Sequence, residues 1–165
     1  MSLAAMHEFE VLDRTHADMV LHLRQLEALI ARLGESGADA QAREMAATVR
    51  DFFDETARRH HADEERFVFP PLLASGDADL VHQVERLQQD HGWLEEDWNE
   101  LQPLLDALAC GVGSLDPALL LEAVTVFSGL YLDHIALEES LIYPEARRRA
   151  EAHASNDGRR ANGGA

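Results

Sequence analysis

Four long stretches of the chain repeat apolar residues at the period of an α-helix, and a breaker follows each of the first three. The first runs from about residue 9 to Leu33 and gives way to "GESGAD", where Gly34 suits a left-handed cap. The second runs from about Asp39 to Phe69, with Pro70 and Pro71 as its stop. The third runs from about Asp77 to Cys110, carries Pro103 in its last turns and ends at "GVGS". The fourth opens with Asp116 as N-cap and Pro117 in the first turn, and continues to about Arg149. No alternating strand pattern of useful length occurs. The predicted fold is all-α: an up-down-up-down antiparallel four-helix bundle over residues 8–149. The end of the chain, "SNDGRRANGGA", is small, polar and glycine-rich, so residues 150–165 read as a disordered tail.

Each helix of such a bundle must bury one apolar stripe. With residues placed about 100° apart around each axis, one histidine falls at the centre of every stripe. In the first helix Phe9, Leu12, Val20, Leu23 and Ile30 flank His16. In the second, Val49, Phe53, Thr56 and Phe67 define the face, with His60 at its middle and Glu64 beside it. His61 is turned about 100° away. In the third, Leu80, Val84, Leu87, Leu94, Trp98 and Leu105 surround His91. In the fourth, Ala123, Phe127, Leu130, Leu137 and Leu141 surround His134, with Glu138 beside it.

One inward histidine is an ordinary core residue. Four of them with two inward carboxylates are not, because unpaired buried carboxylates are costly and call for cations. The depths agree as well. His16 and His91 lie in the first halves of their helices, and His60, Glu64, His134 and Glu138 near the ends of theirs. At about 1.5 Å rise per residue, antiparallel packing puts all six in one layer. The chain also repeats itself: "HHADEERFVFP" (60–70) and "HIALEESLIYP" (134–144) share H-x3-E-E-x3-[F/Y]-P. Two similar hairpins give two half-sites, and two half-sites suggest two metals.

His and Glu at i and i+4 project from adjacent turns of one face. Imidazole nitrogen with carboxylate oxygen suits iron, manganese or zinc. Two carboxylates can bridge a metal pair while four imidazoles cap it, leaving positions for oxo, hydroxo, water or a small diatomic ligand. Thiolate takes no part, since Cys110 lies far along its helix from His91. Closed structural zinc sites, rich in Cys, fit less well.

The constellation His16, His60-x3-Glu64, His91, His134-x3-Glu138, with Pro after each His-x3-Glu helix, resembles the hemerythrin-like (HHE cation-binding) domain over roughly residues 8–148. That resemblance implies a non-haem di-iron centre, oxo- or hydroxo-bridged, with zinc or manganese as substitutes. It implies a protein that binds or reacts with oxygen, nitric oxide or peroxide, in sensing or stress response. Oxygen carriers of the family have His-x3-His on the third helix and His-x4-Asp on the fourth. Here Glu95 stands four residues after His91, and Glu138 rather than Glu139 has the better face. The pattern is closer to the four-His, two-Glu sites of bacterial relatives. Glu95 is then a candidate seventh ligand or a partner to one. Tyr131, one turn before His134, is a candidate hydrogen-bond donor to a bound oxygen ligand, or a buried Tyr with a backbone partner. Glu65 and Glu139 are expected at the solvated surface.

Two other functions are open from the residues: a di-iron oxidoreductase or peroxidase, and a metal-binding interaction module without turnover. Ferritin-like bundles use Glu-x-x-His pairs, which this chain lacks. Net charge bears on partners. At −17, the chain should be repelled by nucleic acid and by anionic membranes. No apolar run approaches the ~20 residues of a membrane span, and "MSLAAMHEFEVLDR" is not a secretory signal. A lone cysteine forms no internal disulfide and fits the cytoplasm. A monomer or homodimer, with or without a protein partner, is compatible with all of this.

Overall fold

The computed structural model describes the backbone over residues 3–112 and 116–162, and side chains over 9–112, 116–152 and at Ala154. Four long helices account for nearly all of it. α1 spans Leu3–Ser36. α2 occupies residues 40–73 as successive stretches: Ala40–Asp51, a π-helical Phe52–Ala57, Arg58–Asp63, a π-helical Glu64–Val68, and Phe69–Leu73. α3 spans Ala78–Cys110. α4 begins at Pro117–Leu137, passes through a π-helical Glu138–Ile142, and continues as Tyr143–Asn162. Each helix packs against two neighbours in the cyclic order α1–α2–α3–α4, as an up-down-up-down bundle requires.

The helix starts follow local chemistry. Asp39, Asp77 and Asp116 accept hydrogen bonds from the amides of Ala42 (2.8 Å), Leu80 (3.2 Å) and Ala118 (2.9 Å). The ends differ from expectation in two places. α1 runs through Gly34, and Gly37 takes the left-handed conformation instead, at φ 69°. Pro70 and Pro71 do not stop α2, because they occupy the first turn of its last stretch, where no intrahelical N–H is needed. The π turn just before them closes an i+5 bond from the amide of Phe69 to the carbonyl of Glu64. Tyr143 and Pro144 repeat the arrangement, with the Tyr143 amide bonded to the carbonyl of Glu138. Helical backbone in α4 extends to Asn162, into the expected tail region, and residues 163–165 lie outside the described residues. Part of α4, within Pro117–Ala152, is long and apolar enough to cross a membrane by length and composition alone. Its buried face includes Phe127, Tyr131, His134 and Ile135, which makes it a core helix of the bundle.

The π turns also shift which residues point inward. A π turn holds one more residue than the wheel of a regular α-helix allows. Downstream positions therefore slip by one. Ala57 and Val68 are buried where Thr56 and Phe67 were expected, and Phe67 is 51% exposed. On α4, Ile142 and Tyr143 are buried while Leu141 is 40% exposed.

The core falls into two apolar blocks. One joins Met19, Leu26, Phe53, Trp98, Leu105 and Phe127 with their neighbours. The other joins Leu12, Phe69, Leu72, Val84, Ile142 and Tyr143. Between them lies a polar layer: His16, His60, Glu64, Asp90, His91, His134 and Glu138, each buried.

Candidate metal centre

All four helices feed this layer. α1 supplies His16; α2 supplies His60, His61 and Glu64; α3 supplies His91; α4 supplies His134 and Glu138. The donor atoms form two quartets, His16–His60–Glu64–Glu138 and His61–Glu64–His91–His134, each with all its atoms within 4.8 Å of one another. Glu64 is common to both. One of its oxygens lies 3.4 Å from His60 Nε2 and the other 3.5 Å from His91 Nε2. Glu138 spans the same gap: one oxygen is 3.1 Å from His16 Nε2, the other 3.1 Å from His134 Nε2. Each carboxylate thus has one oxygen facing each half.

His61 corrects the sequence reading. It faces the bundle interior, and its ring stacks on His91 with centroids 4.1 Å apart and planes 16° from parallel. The upstream π turn Phe52–Ala57 re-phases α2 so that His60 and His61 straddle the axis, one toward each quartet. Glu65 and Glu139 are exposed, as expected, and each also reaches a histidine of the layer: Glu65 Oε1 lies 3.1 Å from His91 Nδ1 and Glu139 Oε1 lies 3.2 Å from His16 Nδ1. The rings' outer nitrogens are thereby held, which leaves Nε2 turned inward. Asp90, buried and next to His91 in the chain, lies 3.7 Å from His134 Nδ1. Glu95 is not in the cluster. Its two oxygens take Arg58 at 2.6 and 3.0 Å, outside the core. Tyr131 is buried and stacks on His61 at 5.7 Å.

Tyr143 is the site residue that periodicity missed. Its hydroxyl donates to Glu64 and lies 3.1 Å from His16 Nε2 and 3.5 Å from His60 Nε2. Its ring stacks on His16 at 5.1 Å. Phe69 takes the matching place in the other half, stacking on His91 at 5.5 Å. The repeat carried the signal: these are its two [F/Y]-P positions. The halves therefore differ by one hydroxyl, in addition to His61.

The electrostatics divide the two carboxyls. Burial pushes Glu64 up, but His60, His91 and His61 outweigh it and hold the group well below the ordinary carboxylate range. Glu138 goes the other way, to about 8, through burial and the nearby Glu64 charge, only partly offset by His16. His61 is pushed well below its usual value by burial and by His91 alongside, and so stays neutral. Many inward atoms have no hydrogen-bond partner: Glu64 Oε2, both Glu138 oxygens, and Nε2 of His61, His91 and His134. Buried polar atoms are seldom left so. Here they gather in the two quartets, and imidazole with carboxylate is a donor set for first-row divalent or trivalent metals.

The comparisons with known proteins agree. A family model, the hemerythrin HHE cation binding domain, matches residues 7–146. The chain belongs to this family. A relative from Haemophilus influenzae (strain ATCC 51907 / DSM 11121 / KW20 / Rd), described only as an uncharacterized protein, is 30% identical over 132 residues, which cover 80% of this chain and 74% of the relative. No solved structure matches. This hemerythrin-like chain thus carries a buried His/Glu cluster able to hold metal ions such as iron.

Proposed function

We propose that the cluster holds two iron ions and that the protein binds or reacts with oxygen, nitric oxide or peroxide in sensing or stress response in the cytoplasm. The observation that carries this is the pair of quartets sharing Glu64, with Glu138 also reaching both. His16 and His60 would hold one ion, and His61, His91 and His134 the other, with Glu64 and Glu138 within reach of both halves. Bound there, an iron pair supplies one-electron redox steps and open positions for a small ligand. The chain's own residues do the rest. Glu65 and Glu139 fix ring orientation, and Phe69, Phe53 and Phe127 keep bulk water out. The Tyr143 hydroxyl holds a proton against Glu64 at the first quartet only. That asymmetry supports unequal roles for the two ions.

A di-iron oxidoreductase or peroxidase is the second reading, favoured by the buried Tyr143 hydroxyl beside one half. Turnover of hydrogen peroxide separates it from simple binding. The primary test is metal analysis of protein purified without added metal, with absorption spectra before and after reduction and air exposure. Two irons per chain and near-ultraviolet bands that bleach on reduction are expected. A single zinc, or a well-folded chain that takes up no metal, would overturn the reading.

A further inference from the structure

Between α2 and α3 a small cavity leads from the surface toward the second quartet. Its floor is the His61 and Tyr131 rings, its walls are Phe53, Leu94 and Trp98, and its mouth is Arg58 and Glu95. The space is about 10 Å³ for the centre of a water-sized sphere, room for one very small molecule. Across the mouth, Arg58 donates to both oxygens of Glu95, at 2.6 and 3.0 Å. Arg58 is also 3.5 Å from Asp54 and 3.4 Å from Asn99. Asp54 in turn accepts from the Trp98 ring nitrogen at 2.8 Å, tying the mouth to the wall.

We propose that the Arg58–Glu95 pair is the gate through which small uncharged molecules, of diatomic size, reach His61. Three observations carry this. The floor is an imidazole whose buried Nε2 has no partner. The walls are apolar side chains, so a hydrated ion loses its shell without compensation while a neutral diatomic does not. The closure is an ion pair with both side chains more than two-fifths exposed, 43% and 48%. Such pairs are weakly held and can swing into solvent without disturbing helix packing. The mouth sets one cation, Arg58, against two carboxylates, Glu95 and Asp54, so it does not draw in anions. Only the destination of the route rests on the metal reading; the cavity and its closure do not.

Trp98 is a built-in reporter. The chain has two tryptophans, and Trp93 is largely exposed. In a Trp93→Phe background, metal-free protein is titrated with dissolved oxygen, a neutral diatomic quencher, and with iodide while Trp98 fluorescence is followed. Glu95→Ala and Arg58→Ala should each raise the oxygen quenching constant about threefold, the scale of a lost surface ion pair. Iodide quenching should remain low in the parent. In iron-loaded protein, the association rate of nitric oxide should rise by a similar factor in both variants. Unchanged oxygen quenching overturns the gate whether or not iron binds. Raised quenching with an unchanged nitric oxide rate makes the cavity a blind pocket and overturns the route. Failure to load iron refutes the metal reading alone, since the quenching result still judges the gate.

Discussion

Replacing Glu138 with Gln should stabilise the metal-free protein and weaken its hold on metal. The carboxyl is pushed up to about 8 in the folded chain, from an ordinary value of 4.5, by burial and by the Glu64 charge. A raised acid contributes most to stability below its unfolded value, and that contribution is lost as pH rises through the folded value. At pH 7 the unfolded chain has ionised Glu138 while the folded chain still protonates it. The roughly 2.5 pH units between 4.5 and 7, at about 1.36 kcal/mol each, give a cost of about 3 kcal/mol. At pH 5 the same reasoning leaves about 1 kcal/mol or less. A neutral amide of the same shape carries no such cost. The assay is urea unfolding of chelator-treated parent and Glu138→Gln at pH 5 and pH 7. The variant should gain about 3 kcal/mol at pH 7 and much less at pH 5. Metal-loaded protein should show the reverse order, because the amide is a poorer ligand. An increment equal at both pH values, or absent at pH 7, would refute the argument that Glu138 is held protonated by its surroundings.

His61→Ala should lower iron content by about one ion per chain while Glu64→Ala, common to both quartets, should lower it by about two; undiminished iron in His61→Ala would remove His61 from the site. The parent's stability should also respond to His61, whose depressed value makes its contribution present above about 6.5 and lost as pH falls below it, in opposition to Glu138. Tyr143→Phe removes the donor to Glu64 and should cost the metal-free protein about 1–3 kcal/mol in urea unfolding, while making the first half resemble the Phe69 half. Asp39→Ala removes both the α2 cap on Ala42 and the partner of Arg32, and should cost about 1 kcal/mol by the same assay with metal content unaffected.

The four-helix plan was legible in the sequence because it depends on local chemistry. Apolar residues recurred at helical spacing, acids capped the starts, and glycines and prolines marked the connections. The convergence of His16, His60, Glu64, His91, His134 and Glu138 on one layer was legible for the same reason, since position along a helix translates directly into depth. The doubled [F/Y]-P and Glu-Glu positions of the repeat also pointed, in principle, to Tyr143, Glu65 and Glu139. What the wheel could not supply was phase after a change in helix type. The π turns at Phe52–Ala57, Glu64–Val68 and Glu138–Ile142 each move later residues by one position, and the last two stand just before prolines that lack an amide hydrogen, Pro70 and Pro144. That slip brought His61 inward, turned Phe67 out and set Tyr143 against Glu64. Glu95 was decided by a partner thirty-seven residues away, Arg58, which draws its carboxylate out of the layer. Sequence alone therefore determined which helices carry the inward histidines and carboxylates and at what depth; the tertiary structure decided which way each side chain turns, because that depends on backbone phase and on neighbours distant in the chain.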